Sequence, residues 1–282
     1  MKFLADSLQR KVIFLTGKGG VGKSTLAWAM ARALNRQGKR TAVIGWQSNG
    51  KTTPPEFAGM GVEWIGLDTL EVFKQYALTI IKFEKLYDTV LDNKVLRTFV
   101  LAAPGLSDSV MAGRIWDLAE NGPYDTLVVD MPSSGHARAF FKSPLGLKKI
   151  FKMGFIARDT ERVLNLFAAD TTRIDLVCLP EQLPVQECRE LKADLEKMHP
   201  FHFGYTYVNQ CVPEWAVLAA PELAKLDAPG KELARRFIEK ANAQSETLGT
   251  SVVGLPEIRL ARLAHPGWRE TVEALADLLE KQ

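Results

Sequence analysis

The chain has 282 residues, 46% of them apolar and 24% charged, which is the composition of an ordinary globular protein with a sizeable core. Its 36 basic and 33 acidic residues leave a net charge of +3, and this balance excludes the general positive field of a nucleic-acid-binding domain. Cys178, Cys188 and Cys211 are scattered and form no C-x-x-C pair, and no run of about 18 uncharged apolar residues predicts a membrane span. We therefore expect a cytoplasmic protein with no nucleic-acid partner.

The first predicted strand, residues 12–15, leads into a glycine-rich loop that precedes a helix-prone stretch, residues 26–34. Backbone N–H groups and the helix N-terminus converge on one anion in such a setting, and glycines leave room for phosphates. Lys23 is predicted to reach the β- and γ-phosphates of a nucleotide, and the Ser24 hydroxyl to ligate Mg²⁺. The loop fits the phosphate-binding pattern G-x-x-x-x-G-K-S/T, and all its residues except Lys18 are predicted to bind the nucleotide: Gly17-Lys18-Gly19-Gly20-Val21-Gly22-Lys23-Ser24-Thr25.

Two strands and a long helix are predicted next. After Gly38, which fits a helix cap, residues 41–46 form an apolar strand, and a polar loop follows from Gln47. Residues 62–66 predict a short strand, and residues 68–92 predict a helix because their apolar positions are spaced near 3.6.

Residues 124–130 predict an apolar strand that ends in Asp130, the arrangement of a Walker B motif. Asp130 is expected to hold Mg²⁺ through a water molecule. Residues 131–136 then form a loop in which Gly135 supplies backbone freedom. His136 is predicted either to fix this loop or to contact phosphate or a client.

Residues 142–155 interleave four lysines with Leu, Ile and Phe. One interpretation is a mobile basic segment, near residues 140–157, whose lysines are solvated and whose apolar side packs on its own domain. The other is an amphipathic segment that contacts a membrane surface or an apolar client.

The rest of the chain continues the alternation of strands and helices. This alternation predicts an α/β fold, a doubly wound and mostly parallel sheet in one domain over residues 1–282, with the nucleotide at the carboxyl ends of the strands. The remaining predicted strands are residues 174–179, 205–210 and 250–255, and the remaining helices are residues 158–168, a helix ending at 198, a helix within 229–249, and 268–279.

Lys18, directly after the first glycine of the loop, makes the chain resemble the deviant Walker A ATPases of the ArsA-like family, of the bacterial single-domain type. This family includes arsenite-efflux and tail-anchored-protein targeting ATPases and is related to MinD, ParA and the nitrogenase iron protein. Residues 130–136 are similar to its D-A-P-A-T-G-H switch II, which implies that this loop senses the γ-phosphate. Residues 180–187, which end in Glu187, are similar to its P-E-x-L-P-V-x-E segment near the dimer contact. The resemblance spans residues 11–258.

The resemblance implies ATP or ADP as ligand, Mg²⁺, and a dimer in which Lys18 reaches the nucleotide of the partner. It implies that Asn209 reads the adenine and that Pro256 and Glu257 belong to a loop that closes over it. Helices near residues 68–120 would form the client or dimer side. Gln47 stands where the family has an acidic switch residue, and glutamine can orient a water molecule but cannot act as a carboxylate base.

Three functions remain open from the sequence. The first is a Mg²⁺-dependent, ATP-hydrolysing dimeric switch that acts on a hydrophobic or membrane-protein client. The second, suggested by Gln47, is a weakly or non-hydrolysing subunit of a heterodimer with an active paralogue. The third is a ParA/MinD-like positioning ATPase, which the acidic last helix disfavours. No zinc clamp is expected because only Cys211 follows Asn209, and arsenite is disfavoured because the cysteines are scattered.

Overall fold

The computed structural model describes residues 2–46, 57–80, 105–212, 227–249, 252–263 and 267–282. The strands are β1 Val12–Gly17, β2 Thr41–Trp46, β3 Glu63–Leu67, β4 Thr126–Ser133, β5 Thr172–Cys178, β6 Phe203–Cys211 and β7 Glu257–Ala261. The helices are α1 Lys2–Ser7, α2 Lys23–Arg36, α3 Thr69–Ile80, α4 Leu106–Asn121, α5 Ser134–Ile150, α6 Phe155–Ala168, α7 Gln182–Met198, α8 Ala228–Leu248 and α9 Trp268–Glu280.

The seven strands form one parallel sheet in the order β3-β2-β4-β1-β5-β6-β7. The predicted doubly wound α/β fold is therefore confirmed. The chain winds outward from β1 to one edge, returns to β4 beside β1, and then continues through β5 to the other edge. The reversal places the end of β1 at the centre of the sheet, where nucleotides bind in open α/β folds.

Alternating side chains of β1 pack into two apolar cores, one on each face of the sheet. Val12 and Phe14 lie in the core covered by α3 to α7, and Ile13 and Leu15 lie in the core covered by α1, α2 and α9. All six residues of β1 are buried, which explains its continuous apolar sequence. Burial on both faces holds the carboxyl end of β1 rigidly in place.

Two predicted elements differ in the structure, and a third is described only in part. Residues 142–155 are helical as far as Ile150, since α5 runs through Pro144. Gly135 and His136 lie in the first turn of the same helix rather than in a free loop. Only the part of the helix predicted at residues 68–92 that ends at Ile80 is described.

The last strand was predicted at residues 250–255, but the described part of that range, residues 252–255, is not a strand, and β7 begins at Glu257 instead. Gly254 has a left-handed φ of 75°, and Pro256 has no N–H for the ladder, so neither residue continues a strand. In the described ranges, no helix is both long and apolar enough to cross a membrane.

Candidate nucleotide-binding site

The glycine-rich loop connects β1 to α2 at the centre of the sheet. Gly20 and Gly22 have left-handed φ values of 82° and 92°, which other residues adopt only with strain. A Cβ at Gly17 would overlap the carbonyl oxygen of Val177 on β5. The glycines of the motif are thus required by the backbone path and by the approach of the neighbouring strand.

Lys23 folds back over its own loop. The residue is 8% exposed, and its ammonium donates to the carbonyl oxygens of Gly17 at 3.2 Å and Lys18 at 2.9 Å. Burial lowers the pKa of Lys23, and the nearby Asp130 carboxylate opposes this effect. A buried ammonium whose hydrogen bonds go to neutral carbonyls can exchange them for the charged oxygens of an entering phosphate.

Asp130 lies beside the loop because β4 and β1 are parallel neighbours that pair Asp130 with Leu15. Burial raises the pKa of Asp130, whereas a hydrogen bond from the Ser24 hydroxyl and the charge of Lys23 lower it. A serine hydroxyl next to a buried carboxylate is a donor set of hard oxygen ligands that fits Mg²⁺. The structure thus brings Lys23, Ser24 and Asp130 together.

Asn209 lies against the phosphate-binding loop. Its Nδ2 donates to the carbonyl oxygen of Val21 at 2.9 Å, and its Oδ1 accepts from the N–H of Gln210 at 2.9 Å. Nδ2 also occupies the space that a Cβ at Gly22 would need. Asn209 therefore braces the loop, a role that its position in the sequence did not indicate, and adenine reading stays a prediction.

Pro256 and Glu257 do not form a loop after the last strand. The Pro256 carbonyl accepts from the N–H of Thr206, and Glu257 is the first residue of β7, where its carboxylate accepts from the N–H of Val252. Both residues lie at the amino end of β7, whereas nucleotides bind at the carboxyl ends of such strands. The structure thus places Glu257 in a strand rather than in the expected loop, and contact of these two residues with adenine stays a prediction.

Lys18 and Glu187 form a contact that the sequence analysis missed. The Lys18 ammonium lies 3.0 Å from Oε1 of Glu187 on α7, and the hydroxyl of Ser134 donates to Oε2 at 3.3 Å. The only sequence signal was the position of Glu187 within the family-like segment at residues 180–187. Gln47 lies outside the described residues.

The three cysteines are closer in space than their spacing suggested. They lie on the neighbouring strands β5 and β6 and on α7, and the thiols of Cys178 and Cys188 share a hydrogen bond. This hydrogen bond, burial and the nearby Cys211 raise the pKa of Cys178, so its thiol stays neutral. The part of the chain that is described holds no group of three or more His, Cys, Asp or Glu side chains arranged for a metal ion.

The fold and the loop define a P-loop nucleotide-binding protein. Residues 12–170 match the model of the CobQ/CobB/MinD/ParA nucleotide binding domain, and the chain belongs to this family. The match extends from β1 almost to β5 and includes the loop and Asp130.

Individual relatives carry ATPase names. The chain is 29% identical to ATPase BagA of Mycobacterium tuberculosis over 238 residues, 75% of this chain and 67% of that protein. It is 27% identical to the Arsenical pump-driving ATPase of Acidiphilium multivorum over 213 residues, 70% of this chain and 35% of that protein. It is 20% identical to ATPase ASNA1 homolog 2 of Paramecium tetraurelia over 168 residues, 55% of this chain and 52% of that protein. The predicted ArsA-like relationship is confirmed, and the chain is an ATPase of the P-loop class that includes MinD, ParA and ArsA.

Proposed function

We propose that the chain is a Mg²⁺-dependent, single-domain ATPase of the cytoplasm that works as a dimeric switch on a protein or membrane-associated client. The observation that carries this proposal is the cluster of Lys23, Ser24 and Asp130 at the centre of the sheet. Lys23 would bind the β- and γ-phosphates, and Ser24 and Asp130 would hold Mg²⁺, which neutralises charge on the phosphates. Catalysis would then depend on positioning and charge neutralisation.

The position of Lys18 supports the dimer. Lys18 and Lys23 stand on the same loop, yet Lys23 is 8% exposed and Lys18 has 35% of its side chain exposed. Lys18 thus lies at the surface, where it pairs with Glu187, whereas Lys23 donates to its own loop. A lysine from a partner subunit would act like an arginine finger, adding a cation where charge develops on the transferred phosphate.

The connection between α5 and α6 supports a hydrophobic client. Ile150 is 72% exposed and Met153 is 87% exposed, and Phe151 and Phe155 are exposed by 38% and 44%. Lys148, Lys149 and Lys152 flank them. We call residues 148–155 the basic-apolar tip. Such a concentration of exposed apolar side chains is typical of a contact surface for a protein or membrane.

Gln47 favours a second candidate, a subunit that binds ATP and hydrolyses it slowly or only with an active paralogue. Glutamine cannot accept the proton of the attacking water as a carboxylate does. This candidate shares the nucleotide site and the dimer and differs in turnover alone.

A ParA/MinD-like positioning role has less support. Acidic residues of α9, which would oppose anionic surfaces, pair with Arg32 and Arg36 of α2 and fix the helix against its own domain. These acids are Glu273, Asp277 and Glu280.

The test is ATP turnover with Mg²⁺, measured together with molecular mass with and without nucleotide. We expect the wild type to turn over and to double its mass with ATP. Lys23→Ala should lose ATP binding and turnover, whereas Lys231→Ala, an exposed lysine of α8, should retain both. Failure of the wild type to bind ATP with Mg²⁺ would contradict the proposal.

Gln47→Asp separates the two candidates. If the wild type binds ATP and dimerises without turnover, and Gln47→Asp restores turnover, the chain is the slowly hydrolysing subunit. If both proteins turn over, the active switch is favoured.

A further inference from the structure

Glu187 is a single carboxylate that contacts two parts of the nucleotide site at once. Its Oε1 lies 3.0 Å from the Lys18 ammonium, and its Oε2 accepts from the Ser134 hydroxyl at 3.3 Å. Lys18 belongs to the phosphate-binding loop, and Ser134 is the first residue of α5, directly after the strand that carries Asp130. Glu187 therefore connects the two segments that a nucleotide would contact.

The ion pair holds Lys18 against its own subunit, whereas its proposed role is at the nucleotide of a partner subunit. The Glu187 carboxylate, 3.0 Å from the Lys18 ammonium, offsets much of its charge and so weakens its attraction for a second anion. To reach the phosphates of a partner, Lys18 must leave Glu187. The side chains of Lys18 and Glu187 are 35% and 28% exposed, so the pair is weak enough to open.

We propose that Glu187 is a positioning residue that retains Lys18 on its own subunit and releases it when the nucleotide-bound dimer forms. This inference rests on the proposed dimeric function. Because Ser134 binds the other oxygen of the same carboxylate, the start of α5 helps to position the Glu187 carboxylate that retains Lys18. A movement at the end of β4 is then transmitted to Lys18 through one side chain.

The first experiment measures the ion pair itself. The rate at which an amine-reactive reagent modifies Lys18 is determined by mass spectrometry in nucleotide-free protein, with Lys231 as internal reference. Glu187→Gln should raise the rate about two- to fivefold, the range that corresponds to a partly exposed pair. Glu190→Gln makes the same charge change one turn further along α7, where Glu190 bonds Gln186, and should leave the rate unchanged.

The second experiment measures dimerisation. Glu187→Gln should form the dimer at about two- to fivefold lower ATP concentration than the wild type and should unfold at the same temperature. In a Lys18→Ala background the same substitution should have no effect, because a merely structural role of Glu187 would not depend on Lys18.

The outcomes separate this inference from the proposed function. If the wild type never dimerises with ATP, the dimeric function fails. The role of Glu187 is overturned if the wild type dimerises but Glu187→Gln needs the same ATP concentration to do so. It is also overturned if Glu187→Gln lowers that concentration equally in the Lys18→Ala background. In both cases the dimeric function stands. An unchanged modification rate of Lys18 in Glu187→Gln also overturns the role of Glu187.

Discussion

Gly22 and Asn209 fit together so closely that neither position is free to vary. Gly22 has a left-handed φ of 92°, and a Cβ there would overlap Nδ2 of Asn209, which donates to the carbonyl of the preceding Val21. The amide of Asn209 thus fills the space that a side chain at Gly22 would occupy, and it keeps the loop open for a phosphate.

This fit predicts that Gly22→Ala destabilises the protein by about 1 to 3 kcal/mol, through backbone strain and displacement of Asn209, and abolishes ATP binding. Gly19→Ala is the control, because a Cβ there meets no atom within 4 Å and its φ is not left-handed. Chemical unfolding and nucleotide titration compare the two variants. Equal stabilities for both variants would contradict this account of the loop.

Asp130 predicts a dependence of stability on pH. Burial raises its pKa above the usual value of 3.8, so the folded, nucleotide-free protein binds a proton more readily than the unfolded chain does. Its stabilising contribution is therefore present below pH 3.8 and is lost as the pH rises through the raised pKa of the folded state.

Asp130→Asn cannot ionise and should keep this stability at neutral pH. We expect the variant to be more stable than the wild type at pH 7, and the difference to shrink as the pH falls towards 4. Thermal unfolding across this range measures the difference, with Asp170→Asn, where the carboxylate is 97% exposed, as the control at a surface position. A wild type that gains stability over Asp130→Asn with rising pH would refute the assignment.

At the scale of elements, α5 shows how a helix can pass through a proline. Pro144 lacks the N–H that would bond the carbonyl of Phe140, and the hydroxyl of Ser143 donates to that carbonyl at 3.2 Å instead. Ser143 also bonds Ser109 of α4 at 2.8 Å, which fixes its side chain. The helix therefore continues to Ile150 and carries the basic-apolar tip outward.

The tip predicts charge-dependent binding. Lys148→Glu with Lys149→Glu should weaken binding to anionic vesicles or to an acidic apolar client peptide at least about tenfold, since each lysine near an anionic surface contributes about 1 kcal/mol. Thermal stability should hardly change, because Lys148 makes only a 3.7 Å exposed pair with Glu161.

Lys197→Glu with Lys240→Glu is the matched control for the tip. It makes the same change in net charge at exposed positions on α7 and α8. Flotation with vesicles and titration with peptide measure binding, and equal binding by both double variants and the wild type would exclude the tip as a contact surface.

These elements also show what the sequence could and could not predict. Residues 41–46 were predicted to the residue because a continuous apolar run between polar loops needs no tertiary information. The sequence did not predict α5 because a proline such as Pro144 normally interrupts a helix. The hydrogen bond from Ser143 that compensates for its missing N–H depends on side-chain geometry. Strand β7 was placed too early because residues 252–253 are apolar core residues without being a strand.

The same division holds for the nucleotide site. The glycine-rich loop is contiguous, so the roles of its residues follow from its pattern. The contacts of Lys18 with Glu187 and of Val21 with Asn209 join positions 169 and 188 residues apart and depend on strand order. A single sequence does not reveal strand order beyond its general rules.

At the scale of the whole molecule, a buried ion cluster joins the first helix to the sheet. Arg173 on β5 is 1% exposed and bonds Asp6 and Ser7 of α1 as well as Asp175, which is 0% exposed. Gly204 on the neighbouring strand lacks a Cβ where Arg173 passes. The cluster lies at the opposite end of the strands from the phosphate-binding loop, so it serves stability rather than nucleotide binding.

Removing one charged partner of a buried cluster lowers the free energy of unfolding more than removing both opposite charges does. Arg173→Met should destabilise the protein by about 3 to 5 kcal/mol, because Asp175 then keeps a buried charge with no cation beside it. Adding Asp175→Asn should recover part of this loss, since the amide still accepts from the N–H of Tyr205, as Asp175 does at 3.0 Å. Chemical unfolding measures both, and Arg235→Met on the exposed face of α8 should leave stability unchanged. If the double variant were less stable than Arg173→Met, the uncompensated charge could not be the cause, and the loss would lie in the packing of the arginine against Phe3 and Tyr205.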